Sequence, residues 1–552
     1  MPTVKLNQEV FEKLVGKKLP LDQLKERNSY LGTDLESIEH KEITVEIFPN
    51  RPDMLSEQGF ARAFSSFIGI KKGLRQYNVK KSRERVKIDP SVKKVRPFTA
   101  CAIVKGLKLD DEKIRELIQI QEKLHVTYGR NRKKAAIGIY PLEKIQMPIF
   151  FKALPKEKIK FQPLEAEREM TATQILSQHP TGKEYAHLLE GYTHYPVFID
   201  ANEQILSMPP IINSHRTGKI TEETKEVFIE CSGFDLETQK ILLNIIVTML
   251  ADMGGEIYSM ELYYENKKEM TPDLTPSQMK LELKYVNKVL GMQLNRKEIK
   301  ELLRRSGFDY NNNKVLIPAY RADILHPIDL VEEIAIAYGY ENIQPEIPNV
   351  ATIASEAPLE LLKKKIQEIL IGMHFLETSS YIITSQENVK KTNLAGKFLE
   401  IINPLNKEFN ILRPSLVVSL LQVLSENQHH EYPQKIFEIN KIFEYDQEKL
   451  SCAIAMCHEK ANFTEMKQVL DVLCTSLAKE YHLEPIKEDL FIEGRAGAII
   501  LDKKKIGVLG EVHPSVLEKW NLQIPVVVFE VDMEVLHAIV MPSISASLGL
   551  VA

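Results

Sequence analysis

Four acids, Asp323, Asp329, Glu332 and Glu333, are the residues whose types and spacing most directly describe a chemistry. Asp329, Glu332 and Glu333 stand at i, i+3 and i+4, so a helix would carry them on one face. Asp323 lies just upstream, where the turn before Pro327 can fold it back towards them. Carboxylates gathered this closely repel one another unless something positive joins them. Oxygen ligands of this kind suit a hard cation such as Mg²⁺, or a basic partner surface. Acids in a first helical turn also complement the helix dipole, and residue types alone leave that reading open. The element that must position them is legible. Pro327 suits a first turn because its missing N–H costs nothing there. Leu330, Ile334 and Ala337 recur at helical spacing, and Gly339 marks the end. Upstream, Asn295–Arg305 reads as a helix with Ile299, Leu302 and Leu303 inward, stopped by Gly307. A turn at Asn311–Asn313 leads into Val315–Tyr320. Helix, hairpin and helix predict a winged-helix-like module. Its exposed face is mixed in sign, which argues against a DNA-binding role.

A second candidate set lies earlier. Met208-Pro-Pro-Ile-Ile-Asn-Ser214 is followed by Thr221-Glu-Glu-Thr224 and by strand-like Val227–Gly233, which holds Glu230. Pro209 and Pro210 set an extended entry. Asn213, Ser214, Thr221 and Thr224 offer small hydrogen-bonding groups without a strong acid–base pair. The same types would make an Asn/Ser turn between two strands. Glu230 and His194 are weaker candidates in the same region. Thr127-Tyr-Gly-Arg-Asn-Arg-Lys-Lys134 is a basic loop with one aromatic, either a solvated turn or a contact for RNA phosphate.

The chain of 552 residues is too long for one core, so several domains are expected. With 44% hydrophobic and 27% charged residues it has the composition of a soluble globular protein. A net charge of −4 gives no global argument for nucleic-acid binding and leaves local basic surfaces open. The five cysteines form no C-x-x-C pair, which speaks against a disulfide framework or a zinc site and for a reducing compartment. The start carries no apolar signal core, and the apolar run Ile241–Leu250 is too short to span a bilayer. A cytoplasmic protein with no membrane attachment is expected.

An α+β multidomain chain of four regions is predicted: 1–90, 91–265, 266–347 and 348–552. The first holds strand-like Ile43–Phe48, the turn Asn50-Arg-Pro-Asp53 and helical Glu57–Ile68. Lys71–Lys94 is rich in Lys and Arg and reads as a linker or a solvated surface. The second holds the helix Glu112–Leu124. In the last, Glu377–Thr384, Ile436–Asn440, Ala496–Leu501 and Val526–Val531 read as strands among helices, as in an antiparallel α+β sheet. No P-loop occurs. Met541–Ala552 carry no usable motif.

Arg321-Ala-Asp-Ile…Asp329-Leu-Val-Glu-Glu333 resembles the B5-domain signature of the phenylalanine–tRNA ligase β-subunit family. Asn50-Arg-Pro-Asp53 with Leu55 resembles that family's N-terminal domain. Met208–Gly233 is similar to its B3/B4 region, and Asn403-Pro-Leu…Leu412-Arg-Pro-Ser-Leu416 with Gly510-Glu-Val-His-Pro514 is similar to its B6/B7 region. The motifs stand in the family's order from about Asn50 to Val531, in the pattern of the shorter archaeal or eukaryotic form.

The resemblance implies that Asp323, Asp329, Glu332 and Glu333 hold Mg²⁺ near an α subunit. It implies a B3/B4 site hydrolysing tyrosine mischarged onto tRNA(Phe), with Asn213, Ser214, Thr221, Thr224 and Glu230 as candidates. No Ser-His-Asp order is discernible, so a bound water is the expected nucleophile. It further implies a class II synthetase-like C-terminal domain without catalytic motifs, in which Arg413 is structural and His513-Pro514 is a turn. Activation of phenylalanine by ATP and transfer to tRNA(Phe) would then belong to the α subunit, within an (αβ)₂ heterotetramer. A free-standing deacylase of mischarged tRNA and a non-catalytic RNA-binding scaffold are the rival readings.

Overall fold

In the computed structural model, residues 2–540 are described except 40, 351–353, 395 and 397. The expectation about Met541–Ala552 lies outside them. The chain divides into two compact units, Met1–Ile347 and Pro348–Ala552.

The first unit opens with an antiparallel sheet in which Glu42–Glu46 lies between Thr3–Asn7 and Asp34–Glu39. The helix Glu57–Phe67 presents Phe60 and Phe64 to Phe11, with ring centroids 5.4–6.1 Å apart. Ser56 caps this helix by accepting from Gly59 N–H.

The middle of the unit is a ten-stranded sheet. Within it Phe98–Lys105 is buried between Glu256–Tyr263 and Val227–Gly233, with Ala135–Pro141 beyond the latter. The long helix Leu236–Asp252 lies on it. It is buried almost all round, as its apolar sequence requires. Lys71–Lys94 is not a linker. Val79–Ile88 is a strand of this sheet, paired in parallel with Glu256–Tyr263 and with Ile149–Pro155. Its charges point outward while Val86 and Ile88 are buried, so the burial rests on only two side chains. The sheet also takes Lys268–Thr271, and its strands therefore extend past both ends of 91–265.

The winged-helix-like module forms as expected. Helices Leu283–Leu290, Arg296–Arg305 and Pro327–Tyr338 pack with strands Ser277–Lys280, Asp309–Asn311 and Lys314–Ile317. Asn312 and Asn313 adopt left-handed backbone at the hairpin tip, where Asn is tolerated.

The second unit is a seven-stranded sheet, antiparallel except for a short edge strand. The sequence alternation is visible in its core. Cys452, Ile454 and Met456 face one layer of helices, while Ala453, Ala455 and Cys457 face the other. Glu377–Thr384 is not one strand. Only Leu376–Glu377 and Ile383–Thr384 pair, and with different partners. Arg413 and Glu438 are both fully buried, 3.0 Å apart. Arg413 also donates to Ser380 and Ser419 hydroxyls and to Lys441 O, which makes it a structural tie. His513 caps the short helix Pro514–Lys519.

Candidate functional site

A cavity of about 480 Å³ opens in the first unit at the end of the ten-stranded sheet. The helix Asp111–Val126, the strands Ala135–Pro141, Ile205–Met208 and Val227–Gly233, and a crossing strap around Leu164 enclose it. Of the residues singled out by sequence, Pro209, Pro210, Asn213 and Glu230 line it. Ser214, Thr221 and Thr224 do not. Ser214 is buried and ties the strap to the sheet by a bridge to Pro163. Thr221 and Thr224 bond each other in a local turn. His194 is exposed and bonds Thr193.

Glu230 is the chemical centre of the cavity. Only 2% of it is exposed. Its Oε1 accepts from the Tyr140 hydroxyl at 3.2 Å, and its Oε2 has no partner. Burial raises its pKa from about 4.5 to about 8, despite the opposing charge of Arg96 and the hydrogen bond from Tyr140. Near pH 7 the side chain is therefore mostly a neutral acid. The Tyr140 hydroxyl also reaches Asn213 Oδ1 at 3.3 Å, which links the two sequence candidates through a residue that sequence reasoning missed. Gly138 makes room for this pair, because a Cβ there would sit 2.1 Å from the Tyr140 oxygen and 2.6 Å from Glu230 Oε1.

The opposite wall is fixed by Arg132. Its guanidinium donates to Ile211 O at 2.7 Å and to both oxygens of Glu122, and it lies over the Tyr185 ring at 4.4 Å. Arg130, Asn131 and Arg132 are successive left-handed residues, a conformation non-glycine residues rarely adopt in a row. Arg132 is thereby buried, while Arg130 and Lys133 stay exposed beside it. The basic loop thus has one structural arginine and an exposed positive rim.

The four acids of Pro327–Tyr338 and its approach do not converge on one point. Arg321 donates two bonds to Asp323, at 2.8 and 2.6 Å, and a short one to Glu333. Burial alone would raise the Asp323 carboxyl, but the Arg321 guanidinium holds it below its usual range. Asp329 Oδ2 accepts from the N–H groups of Leu325 and His326, both at 2.7 Å, and so caps its own helix. Glu332 accepts from the Tyr340 hydroxyl at 2.9 Å. Among the described residues no cluster of three or more His, Cys, Asp or Glu side chains is spaced to hold a metal. A magnesium site closed by this chain alone does not fit, since Arg321 already neutralises two of the four.

Arg321-x-Asp323 has a twin in Arg51-x-Asp53, with the same paired bonds at 2.9 Å. Arg51 also stands 3.8 Å from Glu333, so the two sequence signatures meet in one buried network. Arg62 extends it, donating to Tyr77 and Asp252 and lying over the Tyr320 ring at 4.1 Å. The network joins the N-terminal region, the sheet and the winged-helix-like module.

Three family models match along the chain. A B3/4 domain covers residues 106–243, a tRNA synthetase B5 domain covers 279–340, and a phenylalanyl tRNA synthetase beta chain CLM domain covers 343–533. The phenylalanine–tRNA ligase beta subunit of Archaeoglobus fulgidus is 40% identical over 542 residues, covering 97% of this chain and 98% of the relative. This chain belongs to the phenylalanine–tRNA ligase β-subunit family. The beta subunit of Thermococcus sibiricus is 39% identical over 549 residues, covering 96% of this chain and 98% of its own length. A crystal structure of an N-terminal fragment of the Pyrococcus horikoshii β subunit matches with a TM-score of 0.59 and 40% identity, over 61% of this chain and 99% of the fragment. The chain is thus a subunit of an aminoacyl-tRNA ligase, which implies an α partner and tRNA. No helix among the described residues is long and apolar enough to cross a membrane.

In this β subunit the cavity lies inside the B3/4 match; Glu122, His125, Tyr140, His179 and Ser207 belong to the site without having been legible, and Arg132 was legible only as part of the basic loop. For Tyr140 and Ser207 the sequence signal is a polar group on an otherwise apolar strand, Ala135–Pro141 and Ile205–Met208.

Proposed function

We propose that this β subunit clears tyrosine from mischarged tRNA(Phe) in the B3/4 cavity, as part of an (αβ)₂ ligase whose α subunit joins phenylalanine to tRNA with ATP. The observation that carries the editing reading is the unpartnered Oε2 of buried Glu230 in the cavity. A phenol hydroxyl entering the cavity would pair with it, whereas phenylalanine would leave it unpaired. A site built to bond a hydroxyl rejects the analogue that lacks one far better than an apolar pocket rejects an added hydroxyl. Editing therefore complements a phenylalanine pocket that cannot strongly exclude tyrosine.

The hydrolysis uses water. The new bond joins water oxygen to the ester carbonyl carbon, the bond to the terminal ribose oxygen breaks, and the water proton passes to that ribose oxygen. Arg132 fixes the wall and Tyr140 orients Glu230. Exposed Arg130 and Lys133 supply positive charge for RNA phosphate.

Two surfaces favour an α partner over a free-standing deacylase. In the first unit, Leu325 is 83% exposed beside Ile328 and Tyr340, around Asp329 and Glu332. In the second unit, Ile402 and Leu405 are 94% and 103% exposed, with Tyr381 at 80%. Apolar patches rimmed by polar groups mark interaction sites. Mg²⁺ is proposed at the first surface, on Asp329 and Glu332 with ligands completed by the α subunit, and Asp323 and Glu333 behind them. The working compartment is proposed to be the cytoplasm.

The test is deacylation of tyrosyl-tRNA(Phe) by the assembled complex. Loss of tyrosine preference in Glu230→Ala supports the reading. Equal hydrolysis of tyrosyl- and phenylalanyl-tRNA by the unaltered complex would sink it. Full deacylation by the β chain without α would favour the free-standing hydrolase.

A further inference from the structure

Hydrolysis by water needs a group that takes the water's proton, and the cavity offers few. His125 is used up. Its Nε2 accepts from Ile137 N–H at 2.8 Å, and its Nδ1 faces the Glu122 carboxylate at 3.3 Å. Glu122 is itself held by both bonds from Arg132. Glu230 is a mostly neutral acid near pH 7 and is bonded by Tyr140.

His179 differs. It lines the cavity, is 8% exposed, and immediately precedes the short helix Pro180–Tyr185. Its Nε2 lies 3.1 Å from Leu164 O. A carbonyl only accepts, so Nε2 carries the hydrogen. In the neutral ring Nδ1 is then a lone pair. That Nδ1 is buried and has no partner. A buried imidazole nitrogen left open in the wall of a polar cavity calls for a water or a ligand.

The backbone tie is itself well made. The strap residue Leu164 donates its own N–H to Asn213 O at 2.9 Å, and the neighbouring Gln162 O accepts from His215 N–H at 2.8 Å. Gly182 lets the helix after His179 close on Ile175, where a Cβ would approach the Ile175 carbonyl oxygen to 1.8 Å. The ring is thus oriented by a carbonyl in the way that a carboxylate orients a catalytic histidine elsewhere.

We propose that His179 is the general base of this cavity, with Nδ1 accepting a proton from the attacking water. Water oxygen bonds to the ester carbonyl carbon as its proton moves to Nδ1. The tetrahedral intermediate then expels the terminal ribose oxygen, which recovers the proton from Nδ1–H. This inference rests on the editing function proposed above. The charged groups lining the cavity around His179 are Glu165, Glu184, Glu122, Arg132 and Glu230.

The experiment uses the αβ complex and tRNA(Phe) charged with tyrosine. His179→Ala is expected to lower the first-order deacylation rate at saturating enzyme by about 100-fold, the scale of a lost general base. The enzyme concentration giving half-maximal rate and the tyrosine-over-phenylalanine preference stay within about 2-fold, because neither depends on the base. Added imidazole restores part of the rate, and the acid limb of the pH–rate profile disappears. His179→Asn, which fills more of the space, behaves in the same way. An undiminished rate in His179→Ala, beside a defective Glu230→Ala, overturns this inference and leaves the editing function standing. So does a lowered rate with an unchanged pH profile and no rescue by imidazole, which marks His179 as structural. Absence of deacylation in the unaltered complex removes both.

Discussion

Replacing Glu230 by Gln should make the protein more stable at alkaline pH and leave it nearly unchanged at acid pH. The buried carboxyl is raised from about 4.5 to about 8, so between those values the folded chain holds a proton that the unfolded chain has released. The stability this supplies is fully present below the unfolded value. It is lost as pH rises through the folded one. At about 1.4 kcal/mol for each unit, the loss approaches about 5 kcal/mol at the upper end, an upper bound because ionisation would draw water into the cavity. Gln has no charge to bury and keeps an oxygen for the Tyr140 hydroxyl, now bonded at 3.2 Å. The assay is the urea midpoint of both forms of the β subunit from about pH 5 to about pH 9. The two curves should meet at the acid end and separate steadily above it. Parallel curves would refute the reasoning, since they would mean that Glu230 titrates as an ordinary wet carboxylate.

Gly138→Ala would bring a methyl to 2.1 Å from the Tyr140 hydroxyl oxygen. It should lower tyrosyl-tRNA deacylation by about 10-fold or more, as misplacement of a substrate-reading group does, while phenylalanine charging on the same preparation persists. Arg321→Gln leaves Asp323 and Glu333 without their shared cation in a buried setting. A loss of about 3–5 kcal/mol in urea unfolding is expected, and a loss below about 1 kcal/mol would show the network to be solvated. Leu405→Asp places a charge on the most exposed apolar side chain among the described residues of the second unit. It should weaken association with the α subunit in gel filtration and leave the urea midpoint of the isolated chain unchanged.

The sequence exposed local order well and long-range assembly poorly. Pro327, Leu330, Ile334 and Gly339 defined a helix that forms as Pro327–Tyr338. The four acids stood out by their spacing, yet their partner Arg321 belonged to the same signature and was read only as part of a motif. Its bonds depend on a backbone turn that no spacing rule describes. Val79–Ile88 looked like a linker because seven of its ten residues are polar or charged, and only parallel pairing with Glu256–Tyr263 makes it a strand. In the cavity, Asn213 and Glu230 were visible as polar residues beside apolar strands. Ser214, Thr221 and Thr224 were chosen for the same types, but Ser214 bridges to Pro163 and the two threonines bond each other in a local turn. Glu122, Tyr140 and His179 come from separate elements; only the folded chain brings Tyr140 onto Glu230 and puts Glu122 and His179 in the same cavity.

The central claim is that buried Glu230 reads the tyrosine hydroxyl in an editing cavity. Its most direct test is the ratio of deacylation rates for tyrosyl-tRNA(Phe) and phenylalanyl-tRNA(Phe), compared between the intact αβ complex and Glu230→Ala. A ratio well above one that collapses towards one in the variant is the predicted result. A ratio that Glu230→Ala leaves unchanged contradicts the account.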